Sequence, residues 1–543
     1  MSWCARATTS TSCVFAYVRR LQSTTAGIAE LNRSFADGCA HVKSTNVENG
    51  ERCVLRLQLA NARSTRLRNE FVLPIDAIEG LKNALADCSR LPRQLQYEAD
   101  QLNEVLSQRR FPATPEEIRE ARKRIRKSLE KEEGDEVKDD MFSQKVINAK
   151  DAYIKRQVEN LLRRTRYNWR PLNFESKESA AVYTLARLAA NFAEVRNVLS
   201  KFEGADFVPR TVLDYGSGCG GAFWAAHDLW GDQVEEYQLV EPNDHISKFC
   251  IDVLRGGSDS PDKTLVHRNI TFRHHLAPSP SNRFDLVIAH RVLVELASHD
   301  ARIDLITSLW NRTNKYLVII DSDLEDSFNA IMEARDYILI AGSEVHATEM
   351  RQTLHEMNIP NADAAMKILD EENLTNFERF ALLREFIPAE VDLPTRLPTG
   401  FVFAPCPHDQ GCPKLSSKNG SVCKFSTRWR EIRADGKVGK RRDGTAIGSF
   451  SYVIMQKGVR EPAESLACLL QMVHSDKHLT CTVCTPFIGI QRFTVSKRAG
   501  PIYRSIKARK PGQLLPITIK SVASESQFDV YEEAVRGFAK STP

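Results

Sequence analysis

Apolar positions along this chain change their spacing at residue 211. From about 74 to 200 they recur at helical intervals (Ile118, Ile125, Leu129, then Val146, Ala149, Tyr153), which predicts helices. The mixed-sign run from Glu116 to Asp140 reads as a solvated helix face and a connecting loop. From 211 onward short apolar runs take over. Thr211–Tyr215, Tyr237–Glu241, Phe284–Ala289 and Lys315–Asp321 predict buried strands, with helical patterns at 222–229, 300–313 and 325–341. Strands alternating with helices imply a parallel sheet covered on both faces. After Pro388 the residues Pro394, Pro398 and Gly400 punctuate a linker, and 401–520 holds few helical patterns. The apolar run Leu466–Val473 is expected to be a helix carrying Cys468 as a buried thiol.

At roughly 150 residues per domain, a chain of 543 residues suggests three or four units. Lys+Arg at 75 against Asp+Glu at 70 leaves +5, which excludes a wholly basic, histone-like chain. The longest uncharged apolar candidate, Tyr316–Ile320, is strand-sized, far short of the ~18 residues a membrane helix needs. No membrane span is expected. The near-neutral total hides local bias. Residues 414–442 carry ten Lys/Arg and two acids, and 492–520 carry eight and none. Residues 1–29 hold Arg6, Arg19 and Arg20, no Lys, no acid and nine Ser or Thr. That composition predicts an organellar transit peptide and import into the mitochondrial matrix, with Cys4 and Cys13 leaving with it. The apolar run Cys13–Val18 is too short for a secretory signal. Without one, the thirteen cysteines read as ligands or buried thiols rather than disulfides.

Leu213-Asp-Tyr-Gly-Ser-Gly-Cys-Gly-Gly221 places Gly216, Gly218 and Gly220 directly after a predicted strand. A tight turn there exposes backbone at the carboxyl end of the sheet, where open α/β sheets bind ligands. No Gly-Lys-Ser/Thr follows, so this is no phosphate loop of a nucleotide hydrolase. Glu241, ending the next strand, stands where a carboxylate could grip a ribose diol. Asp-x-Gly-x-Gly-x-Gly with that acid resembles the class I S-adenosylmethionine-dependent methyltransferases. The resemblance implies that Gly216, Gly218 and Gly220 line the cofactor, Asp214 supports the loop and Glu241 binds the ribose.

Turnover is a separate matter. Base-amine methyltransferases carry Asp/Asn-Pro-Pro-Tyr/Phe after the fourth strand, and here Ala289-His-Arg-Val-Leu-Val-Glu-Leu296 stands instead. His290 or Glu295 could act as a base, although each also reads as an ordinary polar residue at an element's end. No catalytic residue is assigned.

Cys406-Pro-His-Asp-Gln-Gly-Cys412-Pro, Cys423-Lys-Phe-Ser and Cys481-Thr-Val-Cys484-Thr-Pro contain five candidate thiolates. Spacing alone leaves a structural zinc and an iron–sulfur cluster both open. With Phe450-Ser-Tyr-Val453, Tyr503-Arg504, Ala508-Arg-Lys510 and Arg291-Val-Leu-x-Glu-Leu296, these motifs resemble the mitochondrial small-ribosomal-subunit methyltransferase-like family, that of methyltransferase-like protein 17, over roughly residues 170–520. The resemblance implies a 4Fe–4S cluster on Cys406, Cys412, Cys423 and Cys484, with Cys481 as the alternative fourth ligand. One departure is Asp321-Ser-Asp-Leu-Glu325, where relatives end the fifth strand with Glu-Pro-Gly-Thr-Pro.

The expected architecture is α/β. A transit peptide (1–29) and a helical N-terminal region (30–200) precede a class I methyltransferase fold, a Rossmann-like parallel sheet, over 201–390. A cysteine-rich iron–sulfur and RNA-binding domain follows over 391–543. The expected function is assembly of the mitochondrial small ribosomal subunit, supporting mitochondrial translation. In this reading the protein binds rRNA, and the fold holds S-adenosylmethionine chiefly as a scaffold. Arg492, Lys497, Arg498, Arg504, Lys507, Arg509 and Lys510, with the rings Phe493 and Tyr503, are the candidate RNA contacts. The alternatives are an active rRNA methyltransferase and, more weakly, a zinc-ribbon RNA-binding protein.

Overall fold

The computed structural model describes residues 39–60, 70–133, 144–165, 172, 174–257, 264–278, 281–356, 362–388, 390–415, 422–439, 441–460 and 466–521. The expected transit peptide lies outside them. In chain order, β1 (Cys39–Asn46) and β2 (Arg52–Leu59) come first. Helices α1 (Ile75–Ala86), α2 (Pro92–Leu106), α3 (Pro115–Glu133), α4 (Gln144–Thr165) and α5 (Lys177–Leu199) follow. Next are β3 (Thr211–Tyr215), α6 (Gly221–Trp230), β4 (Glu236–Val240), α7 (Asp244–Leu254), β5 (Ile270–Arg273) and β6 (Phe284–His290). Then come α8 (His299–Asn311), β7 (Thr313–Ser322), α9 (Glu325–Ser343), α10 (Ala347–Glu356), α11 (Ala362–Asp370) and α12 (Asn376–Phe386). Strands β8 (Gly400–Ala404), β9 (Phe425–Arg430), β10 (Thr445–Lys457), β11 (Leu466–His474), β12 (His478–Cys484) and β13 (Ile490–Ser496) precede α13 (Pro501–Lys507) and β14 (Leu514–Ser521).

The chain forms two compact units, one of Leu67–Phe401 with Ser426–Arg460, the other of Met1–Arg66, Val402–Phe425 and Glu461–Pro543. In the first, strands hydrogen-bond in the order β5-β4-β3-β6-β7-β10. The first five are parallel, and β10 runs antiparallel to β7, with Tyr452 opposite Ile320. Strands buried on both faces need apolar residues without alternation; β7 runs Tyr316–Asp321 fully buried. The chain leaves β3 for β4 and β5, then returns to β6 on β3's other side. That reversal is a topological switch point, the place where such sheets take ligands. Helix α5 starts on a Ser176–Ser179 capping box and packs tightly on α6. A Cβ at Gly221 would lie 2.7 Å from Asn191 Cβ, so only glycine allows that approach.

In the second unit, six antiparallel strands close a barrel in the order β1-β13-β12-β11-β14-β2. Its core holds Leu55, Leu57, Ala467, Leu469, Leu479, Cys481, Val483, Phe493 and Val495, and α13 adds Ile502, Tyr503 and Ile506.

Three expectations differ from this. The N-terminal region is helical from Ile75, but it opens with β1 and β2, whose partners β13 and β14 lie more than four hundred residues on. Residues 426–460, expected with the C-terminal domain, supply the antiparallel edge of the parallel sheet. Leu466–Val473 is strand β11 rather than a helix. A short apolar run satisfies either period, and pairing on both sides, with β12 and β14, selects the strand. Among the described residues no helix is long and apolar enough to cross a membrane.

Candidate functional site

The loop after β3 occupies the switch point. Gly216, Gly218 and Gly220 adopt φ of +72°, +49° and +80°, a region side chains disfavour. The amides of Gly216 and Ser217 both donate to Val240 O (2.8 and 3.1 Å), tying the turn to β4. A Cβ at Gly216 would sit 2.6 Å from Val292 Cγ2, in the loop after β6. Tyr183 of α5 walls the other side, its Cε1 3.7 Å from where a Cβ on Gly218 would be.

Glu241 follows β4 directly. Its Oε2 accepts from Gly218 N–H (3.1 Å) and its Oε1 from Asn243 N–H (3.0 Å). A carboxylate has about four lone-pair sites, so two remain for a diol. Burial raises its pKa. Asp214, at the end of β3, accepts from Phe223 N–H at the start of α6, and burial pushes its carboxyl up to about 7. Its Oδ2 is buried with no hydrogen-bond partner among the described residues. A glycine cradle, a ribose-competent carboxylate and an orphaned acidic acceptor suit a cationic nucleoside cofactor.

The two candidate bases are engaged. His290 Nε2 lies 2.9 Å from Glu194 Oε2 in a buried network. Arg291, at φ +58°, donates to the same carboxylate from Nη2 (2.8 Å) and Nε (3.1 Å), and Arg187 approaches to 3.5 Å. Burial pushes His290 down. Burial alone would raise Glu194, but Arg291, His290 and Arg187 hold it below the usual carboxylate range. Glu295, its side chain 39% exposed, is paired with Arg109, and partial desolvation raises its carboxyl.

In the barrel unit, β12 alternates. Leu479, Cys481 and Val483 point into the core, so Cys484 lies on the opposite face. There it meets the segment carrying Cys406, Cys412 and Cys423. Burial raises the thiols of Cys484 and Cys423; Cys406, Cys468 and Cys412 raise both further, and Cys423 adds to the rise at Cys484. Cys481 is pushed up to about 12 by burial alone, with no thiol neighbour contributing. Four sequence candidates are thus brought together and Cys481 is set apart. Two neighbours were missed. Cys468 stands directly opposite Cys484 across the β11–β12 pair. His408 Nε2 lies 3.3 Å from Cys484 Sγ, its Nδ1 donating to Gln410 O at 3.2 Å. The Cys-Pro-His triplet was the available signal for His408; reading Cys468 as helical hid it. Among the described residues, no three His, Cys, Asp or Glu side chains converge as one metal ion would require.

Of the expected RNA contacts, Arg492, Lys497, Arg498, Arg504 and Lys507 are exposed and Lys510 is half-buried. Arg509 is only 8% exposed. Phe493 and Tyr503, expected as stacking rings, are barrel core instead, because both occupy inward positions.

The sequence model of the family described as mitochondrial small ribosomal subunit Rsm22 matches residues 177–349 and 347–516. The chain belongs to the Rsm22 family. The Rsm22 match spans the glycine loop and all four cysteines grouped above. A similar curated protein is the human "Ribosome assembly protein METTL17, mitochondrial", 26% identical over 433 residues, 79% of each chain. The Rsm22-cox11 tandem protein 2, mitochondrial, of Schizosaccharomyces pombe is 22% identical over 342 residues, 56% of this chain and 38% of that one. Among solved structures, an O-methyltransferase family protein from Burkholderia thailandensis shares 16% identity over 28% of this chain and 44% of its own (TM-score 0.23). A SAM-dependent methyltransferase from Aquifex aeolicus shares 15% over 28% and 74% (TM-score 0.21). Such likenesses are partial, and the methyltransferase-like fold of this Rsm22 member rests on its own strand order.

Proposed function

We propose that this Rsm22-family protein acts in the mitochondrion as an assembly factor of the small ribosomal subunit, binding its rRNA, and that its methyltransferase-like sheet holds S-adenosylmethionine as a scaffold rather than turning it over. The observation that carries the scaffold reading is the engagement of both candidate bases, His290 by Glu194 and Glu295 by Arg109. Gly216, Gly218 and Gly220 would cradle the cofactor, Glu241 would hold its ribose and Asp214 would face its positive charge. Bound S-adenosylmethionine would supply an electrophilic methyl group; the chain's own contribution is to position and bury it.

In the barrel unit Cys406, Cys412, Cys423 and Cys484 would hold a 4Fe–4S cluster. A single zinc draws four ligands to one point at ~2.3 Å, whereas the four thiolates of a cluster each bind a separate iron. Four thiols gathered beside β12 supply the separate thiolates that a cluster takes up. Cluster binding energy would then be folding energy for the segment carrying three of the ligands.

A second reading, an active rRNA methyltransferase, is favoured by one observation. The Glu295 carboxyl is raised toward the neutral range in which a base works, although Arg109 holds it. Glu241→Ala separates the two. Calorimetry should show S-adenosylmethionine affinity reduced by about 1.5–3 kcal/mol, the loss of charge-assisted hydrogen bonds, while crosslinking to small-subunit rRNA persists. A methylated rRNA nucleotide that disappears in this variant would establish the enzyme instead.

A further inference from the structure

The six barrel strands contain no Asp or Glu, and their five Lys/Arg side chains (Lys43, Arg52, Arg56, Arg492 and Lys520) are all exposed. In a barrel, inward and outward positions alternate. Leu55 and Leu57 of β2 and Phe493 and Val495 of β13 fill the interior, which turns Arg52, Arg56 and Arg492 outward.

Register then decides whether these charges are scattered or adjacent. Thr45 of β1 pairs with Arg52 on one side and Arg492 on the other, so one row runs Arg52–Thr45–Arg492. Arg56 pairs with His41 of β1 and Lys520 of β14, giving a second row, Lys520–Arg56–His41. Lys43 lies between the rows on β1. Neighbouring strands are ~4.8 Å apart and successive outward residues ~7 Å apart along a strand. Lys43, Arg52 and Arg56 therefore share the wall formed by β2 and β1, flanked by Lys520 on β14 to one side and Arg492 on β13 to the other. Among the described residues, Lys43, Arg52, Arg492 and Lys520 form no ion pair. Surface cations are ordinarily interspersed with acids; strands that carry cations and no acid, with Glu48 and Glu51 confined to the turn between β1 and β2, concentrate positive potential and attract a polyanion.

We infer that this outer barrel wall binds an RNA phosphodiester backbone, and that the N-terminal hairpin β1–β2 supplies more than half of its cations. The inference rests on the rRNA-binding reading and deepens it, since the hairpin lies far in sequence from the basic 492–520 stretch. Outward Thr45 and Thr482, both paired with Arg492, add hydroxyls for phosphate oxygens. Most apolar residues of these strands point inward, Val54 opposite Lys43 being outward, so the wall suits a charged backbone better than stacked bases.

The test uses the purified full chain, with binding to a mixed-sequence 20-nucleotide single-stranded RNA read by fluorescence anisotropy across a salt series. Lys43→Ala/Arg52→Ala/Arg56→Ala should weaken binding roughly tenfold or more at physiological salt and flatten log K against log[salt] by about 2, near 0.7 for each lost single-strand contact. Its melting temperature should match the parent's, because the changes are outward-facing. If the parent binds RNA and the triple variant binds equally with the same slope, the wall is not the contact while RNA binding stands. If the parent binds no RNA, the rRNA reading falls and takes this inference with it. Binding to phosphatidylserine vesicles but not to the oligonucleotide would assign the wall to a membrane surface and overturn it.

Discussion

Asp214 combines two demands. It accepts from Phe223 N–H in the first turn of α6, yet its other oxygen is buried with no partner among the described residues, and burial pushes its carboxyl from 3.8 up to about 7. Between those values the folded chain keeps a proton that the unfolded chain has shed. Stability from this group therefore falls as pH rises through that window, by up to about 1.4 kcal/mol per pH unit, and is constant outside it. Asp214→Asn keeps an acceptor for Phe223 and removes the titration. Its melting advantage over the parent should grow from about pH 4 to about pH 7; an advantage flat across that range would mean the carboxyl is not strained. Asp214, the three glycines and Glu241 were legible in the sequence because one strand, its turn and the end of the next strand carry them within thirty residues. Tyr183 was not legible, since α5 brings it to Gly218 by packing that no local pattern announces.

Strand alternation distinguishes Cys481 from Cys484 where motif spacing could not. They stand three positions apart, an odd interval, so one faces the barrel core and the other the Cys406–Cys423 segment. Cys484→Ser should lower the iron content of anaerobically purified protein. Cys481→Ser should retain iron and destabilise the barrel by about 1–3 kcal/mol, the cost of a buried hydroxyl lacking a partner. Iron lost at 481 and kept at 484 would reverse the ligand assignment. The four parallel strands on which the sheet was expected were found because buried strands read as unbroken apolar runs. The β1–β2 hairpin was not anticipated, although Arg52-Cys-Val-Leu-Arg-Leu-Gln-Leu59 alternates visibly on its buried side. Two strands cannot make a barrel, and their partners lie beyond residue 489.

Over the whole molecule, the two units divide the work. One carries a cofactor-shaped switch point whose nearby bases are engaged; the other carries grouped thiols and a cationic wall whose strands hold no acid. That division makes the proposed assembly role separable from methyl transfer. The direct test is co-sedimentation of the full chain with the small ribosomal subunit on gradients of mitochondrial lysate, in cells relying on one variant at a time. Glu241→Ala should sediment with the small subunit as the parent does, and Cys484→Ser should remain at the top of the gradient. Loss of co-sedimentation in Glu241→Ala, with Cys484→Ser still bound, would contradict the account.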